Sequence, residues 1–217
     1  MRGWLAHRWR RWTMRRFWER CWGRGDFAPA WLGRDVSREI VAATNDGWFP
    51  RGARALDIGC GQGEVASWLA AHGFTVVGID ISAAAIARAR ELHGAVHGRL
   101  EFRQLDICAA GPDDGPYEVL IDRGCFHAIP QADAPHYARH VAGACRSGAR
   151  LLLLVKAFRD GVPLGDPLDR ARVVARVEAA LAREFSIDRV AETHLDPHEG
   201  RRPESSLPGL VCWMTRR

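Results

Sequence analysis

The sequence has little lysine, no closely spaced cysteines and no long apolar run. Lys156 is the single lysine among 31 basic residues. The longest clear apolar run, residues 151–155, is far shorter than the ~20 residues of a membrane-spanning helix, so no transmembrane segment is predicted. Because no two of the six cysteines form a C-x-x-C pair, neither a disulfide framework nor a cysteine-rich zinc site is expected. His136 and His140 lack the glutamate of a zinc-binding helix, and no metal site is predicted.

Acidic residues are scarce at the N-terminus. Residues 1–24 hold eight arginines and a single acid, Glu19, so this segment carries +7 and the rest of the chain −2. Tryptophan and phenylalanine lie among the arginines, and spacings such as Trp18 to Trp22 permit an amphipathic helix. The apolar stretch of a secretory signal does not follow the basic segment. We therefore expect a cytoplasmic protein.

A regular alternation of strand and helix patterns follows residue 53. Strands are predicted at 53–58, 74–79, 100–105, 117–121, 151–155, 187–193 and 210–215, and helices at 64–71, 82–93, 133–145 and 168–185. This order predicts an α/β fold with a doubly wound, mostly parallel sheet and an N-terminal helical extension. Such sheets bind ligands beyond the carboxyl ends of their strands. We divide the chain into an N-terminal arm and cap, residues 1–50, and a ligand-binding domain, residues 51–217.

A glycine-rich turn, Asp57-Ile-Gly-Cys-Gly-Gln-Gly63, joins the first strand to the next helix. Its glycines let the backbone turn sharply and let a ligand approach the main chain. The third glycine comes one residue too early for the G-x-G-x-x-G pattern of dinucleotide sites. Asp57 and Glu64 would also repel a pyrophosphate near the helix N-terminus. The turn therefore favours a zwitterionic ligand with a cationic centre.

Two more acidic residues follow the next two strands. Asp80 ends the second strand, at the position where a carboxylate accepts hydrogen bonds from both hydroxyls of a ribose. Asp106 follows the third strand and is placed to accept a hydrogen bond from an adenine amino group. Ile81 and Ile107 stand next to these carboxylates and offer apolar faces to an adenine ring.

The segment 57–63, Asp80 and Asp106 together resemble the first three motifs of class I S-adenosylmethionine-dependent methyltransferases. The resemblance covers residues 50–217 and implies a Rossmann-like fold with a seven-stranded sheet whose last strand is antiparallel. It implies S-adenosylmethionine as cofactor and S-adenosylhomocysteine as product. The donor-binding residues that follow from the strand ends and the resemblance are Asp57, Gly59, Cys60, Gly61, Gly63, Asp80, Ile81, Asp106, Ile107 and Asp122.

The resemblance implies that the segment after the fourth strand, residues 122–130, lies beside the acceptor. It lacks the [DN]-P-P-[YFW] signature of amino methyltransferases that act on DNA or glutamine. It resembles instead the corresponding segment of the thiopurine and thiol (halide) methyltransferase group. Residues 17–29 also resemble the tryptophan-rich N-terminal entry of that group. His127 is a candidate general base or orders its own loop. Arg123 would stabilise a thiolate, hold an acidic substrate or pair with a neighbouring acid, and Asp122 would contact the cofactor or cap the turn.

The sequence therefore predicts a methyltransferase that acts on a small molecule, at a thiol sulfur, with His127, Arg123 and Asp122 as catalytic candidates. N- or O-methylation of a small metabolite, RNA methylation using the basic arm and a non-catalytic cofactor-binding module remain as alternatives. Nucleic acid is disfavoured as a partner because the body outside the arm carries −2. The arm has three alternative roles: a lid over the acceptor, peripheral contact with an anionic membrane or nucleic acid, or a helix packed on the body.

Overall fold

The fold alternates strands and helices along the chain. The computed structural model describes residues 2–27, 36–94, 98–156, 158–159, 162–163, 167–195 and 208–217. The helices are α1 (Arg2–Trp22), α2 (Arg38–Asn45), α3 (Glu64–Ala71), α4 (Ala83–His93), α5 (Ala134–Ala144) and α6 (Pro167–Leu181). The strands are β1 (Arg54–Ile58), β2 (Thr75–Asp80), β3 (Leu100–Gln104), β4 (Tyr117–Arg123), β5 (Cys145–Lys156), β6 (Phe158–Arg159), β7 (Val162–Pro163), β8 (Phe185–His194) and β9 (Pro208–Arg216).

Seven strands form one sheet in the order β3-β2-β1-β4-β5-β9-β8, while β6 and β7 pair separately as a small hairpin. Strands β1 to β5 are mutually parallel, and β9 runs antiparallel to both β5 and β8. The predicted doubly wound, mostly parallel, seven-stranded sheet is therefore confirmed, and so is the N-terminal helix. Because the strand order reverses between β1 and β4, the ligand crevice belongs at the carboxyl ends of these two strands.

Helices cover both faces of the sheet. On one face, α5 and α6 pack their apolar sides, including Tyr137 and Leu181, against the strands. On the other, α2, α3 and α4 contribute Ile40, Leu69 and Ile86 to a second buried cluster. Each such side chain contributes about 1.5–3 kcal/mol when it is fully removed from water. Two apolar layers therefore hold the strand ends, and the turns that follow them, in fixed positions.

The segment before β1 is built into this core. Ile40 and Ala43 of α2, and Phe49 after it, are buried in the same apolar cluster as β1. Burial of this kind makes α2 a layer of the domain. We therefore propose that the body starts before residue 38 and that the arm proper is helix α1 with the residues that follow it.

Candidate active site

The carboxyl ends of β1 to β5, with the residues that follow β1 to β4, surround a cavity of about 340 Å³. Nine of the twelve residues that the sequence singled out contribute to its wall. They are Gly59, Cys60, Gly61, Asp80, Ile81, Asp106, Ile107, Arg123 and His127. The other three, Asp57, Gly63 and Asp122, are not among its lining residues. Most of the residues predicted from the strand ends therefore meet at one cavity.

The glycine turn after β1 brings main chain directly to the cavity. The amides of Gly59 and Cys60 both donate hydrogen bonds to the Ile79 carbonyl, at 2.8 and 2.9 Å, which fixes the turn against β2. Gly59 and Gly61 have φ of 70° and 56°, values that side-chain-bearing residues rarely adopt. A Cβ on Gly59 would lie 2.6 Å from Cys125 Cβ. The turn therefore keeps this conformation and its close packing on Cys125 only as long as these positions are glycine.

Asp57 lies beneath the turn and is 2% exposed. Among the described residues its Oδ2 has no hydrogen-bond partner. Burial raises the pKa of Asp57 to about 7, and the nearby Asp122 and Glu64 charges add to this effect. A buried carboxylate with an unused acceptor atom, next to a glycine cradle, fits the cationic amino group of S-adenosylmethionine.

Asp80 ends β2 and is held by the two adjoining turns. Its Oδ2 accepts a hydrogen bond from the Gly61 amide at 3.0 Å, and its Oδ1 accepts one from the Ser82 amide at 2.9 Å. Burial raises the pKa of Asp80 to about 6, although these hydrogen bonds act in the opposite direction. The carboxylate is thus fixed in the cavity wall, at the place where a ribose is expected.

Asp122 does not face the cavity. Its Oδ1 accepts hydrogen bonds from the amides of Gly124 and Cys125, at 3.1 and 2.8 Å. Its Oδ2 accepts from the Phe126 amide at 3.0 Å and from the Tyr137 hydroxyl at 2.7 Å. Burial raises its pKa to about 6 against the effect of these bonds. The geometry supports the capping alternative for Asp122, which is not among the residues that line the cavity.

His127 lies in the cavity wall, but its surroundings disfavour a general base. Its Nδ1 accepts a hydrogen bond from the Lys156 backbone amide at 3.2 Å, so the neutral ring carries its proton on Nε2. Burial lowers the pKa of His127 to about 3, and the charges of Lys156 and Arg176 lower it further. An imidazole of this basicity takes up a proton poorly at neutral pH. The loop-ordering alternative fits this geometry better.

Two cationic side chains stand near His127 in the cavity wall. Arg123 closes β4 and donates from Nη2 to the Leu195 carbonyl at 2.7 Å. Lys156 closes β5 next to it and also lines the cavity. Glu118, another acid of β4, pairs with Arg146. The sequence did not single out Lys156 as a site residue, because only the sheet order places the end of β5 next to that of β4.

Helix α1 forms one wall of the cavity with Arg11, Met14, Trp18 and Trp22. Arg11 Nε donates to Asp106 Oδ2 at 2.7 Å, so an arm residue holds the carboxylate expected to meet the adenine. The indole of Trp22 packs on the glycine turn, where a Cβ on Gly61 would lie 2.9 Å from its ring. The arm thus reaches both predicted ends of the donor site.

Two further contacts hold α1 in place. Asp133, at the start of α5, accepts hydrogen bonds from His7 Nδ1 at 2.7 Å and from Arg10 Nη2 at 2.9 Å. Burial raises the pKa of Asp133, but these hydrogen bonds outweigh it and hold the pKa below its usual value. Glu19 Oε2 accepts from the Ser82 hydroxyl at 2.8 Å, at the N-terminus of α4. Both are long-range contacts that the sequence pattern does not indicate.

The fold and the site define a class of protein, and comparison with known families agrees. Residues 55–148 match the model of a methyltransferase domain. An uncharacterized methyltransferase of Schizosaccharomyces pombe is 35% identical over 105 residues, which are 48% of this chain and 71% of the relative. The chain belongs to the class I S-adenosylmethionine-dependent methyltransferases. It is an enzyme of this class, and S-adenosylmethionine is its cofactor.

Longer matches are more distant and differ in their acceptors. A phosphatidylethanolamine N-methyltransferase of Cereibacter sphaeroides is 28% identical, covering 78% of this chain and 80% of the relative. A thiopurine S-methyltransferase of Bordetella petrii is also 28% identical, covering 78% and 84%. Among solved structures, magnesium protoporphyrin IX methyltransferase of Synechocystis PCC 6803 with bound S-adenosylhomocysteine has a TM-score of 0.62 at 21% identity, covering 82% of this chain and 80% of that one.

Proposed function

We propose that the protein transfers the methyl group of S-adenosylmethionine to the thiol sulfur of a small molecule. The observation that carries the proposal is the composition of the cavity, which joins the donor-type turn and Asp80 to a region bearing Arg123 and Lys156. When bound, the cofactor supplies an electrophilic methyl group on a sulfonium. The protein must then hold the acceptor in line with it and exclude water.

On the donor side, we assign roles to the predicted residues other than Asp122. Gly59, Cys60 and Gly61 present main chain to the methionine portion, and Asp57 lies beneath them toward the amino group. Asp80 accepts from the ribose hydroxyls. Adenine packs between Ile81 and Ile107, with its amino group toward Asp106. Gly63, at φ of 91°, lets α3 begin directly after the turn.

On the acceptor side, the chemistry favours a nucleophile that needs little help. A free thiol has a pKa of about 8.5, so a cationic environment is enough to populate its thiolate at neutral pH. Arg123 and Lys156 supply that positive charge in the cavity wall. His127, neutral and hydrogen-bonded to the Lys156 amide, positions this part of the wall. Asp122 fixes the turn that presents Arg123 and His127.

The relatives support more than one acceptor atom. The name of the Bordetella protein supports sulfur, whereas that of the Cereibacter protein supports the nitrogen of an amphipathic amine, which we keep as the second candidate. The exposed aromatic side chains of α1 favour this second candidate as well. RNA methylation is less well supported, since Arg10 and Arg11 are engaged with acids of the body.

Three acceptors with one skeleton test the proposal: benzyl mercaptan, benzyl alcohol and benzylamine, each incubated with the protein and labelled S-adenosylmethionine. Methylation of benzyl mercaptan above the other two supports the thiolate mechanism. Preferential methylation of benzylamine would favour the second candidate, and turnover on RNA alone would overturn a small-molecule acceptor. Arg123→Met should lower kcat for benzyl mercaptan at least tenfold, since its charge stabilises the thiolate. Arg139→Met, which removes an exposed arginine of α5, is the matched control.

A further inference from the structure

The side of α1 that faces away from the cavity is apolar and basic at once. Among the described residues, four large apolar side chains are exposed, and three of them lie on α1. They are Trp9, Trp12 and Phe17, which are 65%, 54% and 48% exposed. Such bulky aromatic groups are usually buried or placed at an interface. We call this side, with its exposed arginines, the outer face of α1.

Arginines stand among these aromatics. Arg8, Arg15, Arg16 and Arg20 are all exposed on the same helix. The guanidinium of Arg16 lies 4.9 Å from the centre of the Trp12 ring, in a cation–π arrangement. The single acid of α1, Glu19, turns inward to the Ser82 hydroxyl. The outer face is therefore basic and aromatic, without a carboxylate of its own helix.

The inner side of the helix is already engaged, so the outer face is not a misplaced core surface. Met14, Trp18 and Trp22 line the cavity, and Arg11 is bound to Asp106. Rotating α1 to bury its outer aromatics would break this ion pair and expose Trp22, which is 8% exposed. The outer aromatics are accordingly held outward by the packing of the inner side.

We infer that the outer face of α1 docks on a membrane surface that contains anionic phospholipids. Tryptophan and phenylalanine enter the boundary between headgroups and acyl chains, while arginines remain at the level of the phosphates. Charge complementarity points to anionic lipid, because the exposed charges of the outer face are arginines and the one acid of the helix is turned to the Ser82 hydroxyl. Nucleic acid is the less favoured occupant, since the remaining 193 residues carry −2 and would not extend the basic surface. The inference holds whichever atom is methylated.

Co-sedimentation of the full chain with vesicles tests the inference. Wild-type protein should bind vesicles of equal parts phosphatidylcholine and phosphatidylglycerol, and should bind pure phosphatidylcholine far less. The double variant Trp9→Ala/Trp12→Ala should bind the anionic vesicles about tenfold or more weakly, because it loses most of the inserting apolar surface. Leu92→Ala is the matched control, since Leu92 on α4 is as exposed as Trp12, at 54%. It should bind like the wild type.

A second variant and a second partner complete the test. Arg15→Gln/Arg16→Gln should also weaken binding to anionic vesicles, and it keeps the inference testable if loss of the tryptophans unfolds the helix. Calorimetry of S-adenosylhomocysteine should give unchanged affinity in both double variants, because neither pair lines the cavity. Equal vesicle binding by the wild type and both variants would overturn the inference. So would binding to single-stranded polyuridylate without binding to vesicles.

Discussion

The buried carboxyl of Asp57 gives the sharpest prediction about this protein. Its pKa in the folded state is about 7, chiefly because of burial, against an ordinary value of 3.8. Between these two values the folded protein holds a proton that the unfolded chain has lost. The free energy of unfolding therefore falls as pH rises from 4 to 7 and stays low above it.

Replacing Asp57 by asparagine removes this pH dependence at one position. The Asp57 carboxyl stays protonated up to about pH 7 in the folded protein. At 1.36 kcal/mol per pKa unit, this lowers the free energy of unfolding by roughly 3 kcal/mol between pH 5 and pH 8. Without cofactor, the free energy of unfolding of Asp57→Asn, measured relative to the wild type, should thus be about 3 kcal/mol higher at pH 8 than at pH 5. Part of the wild-type fall remains in the variant, because burial also raises the pKa of Asp80 and Asp122, each to about 6.

Urea unfolding followed by circular dichroism at pH 5 and pH 8 measures both free energies. Asp113→Asn, at an exposed position, is the control and should follow the wild type at both pH values. Affinity for S-adenosylhomocysteine should move the opposite way, falling about tenfold or more in Asp57→Asn, because a charged partner of the amino group is lost. Equal stability differences at pH 5 and pH 8 would refute the reasoning. Unchanged affinity would remove Asp57 from the donor site.

Two further predictions concern the arm and the acceptor region. Arg11→Met should loosen α1 by about 1 kcal/mol, since its pair with Asp106 is partly exposed. Trypsin should then cleave the cofactor-free arm roughly fivefold faster, and faster than in the control Arg15→Met; equal rates would contradict a tethered arm. His127→Gln should lower kcat less than about tenfold. The pH profile of kcat between pH 5 and 8 should keep the shape it has in the wild type, because the pKa of His127 is about 3. A hundredfold loss of kcat, together with the loss of an inflection that the wild type shows between pH 5 and 8, would restore His127 as general base.

The sequence predicted those parts of the molecule that local pattern determines. Strand and helix periodicity led to the sheet, and the glycine turn with Asp80 and Asp106 marked the strand ends that line the cavity. For the segment after β4 the sequence left alternatives open. The strand runs on to Arg123, which turns the Asp122 carboxylate inward onto amides and onto Tyr137. No periodicity distinguishes that outcome from a carboxylate facing the cavity.

Contacts between distant segments were beyond the reach of sequence pattern. Arg11 and Asp106 are separated by 95 positions, and Glu19 and Ser82 by 63. Several arginines and acids of the chain could have formed such pairs with equal charge complementarity. The choice is made by the packing of Trp18 and Trp22, which fixes the rotation of α1. The protonation of His127 likewise depends on burial and on the Lys156 amide, neither of which is local in sequence.

The uneven charge of the chain acquires two separate explanations once α1 is placed. Its inward charges, including Arg10 and Arg11, are matched by Asp133 and Asp106, and these pairs hold the helix against the cavity. Its outward arginines are exposed to solvent. Added salt screens exposed charges more effectively than partly buried pairs. The proposed docking to anionic lipid should therefore weaken at an ionic strength where α1 still packs against the cavity, so a single salt titration distinguishes the two sets of charges.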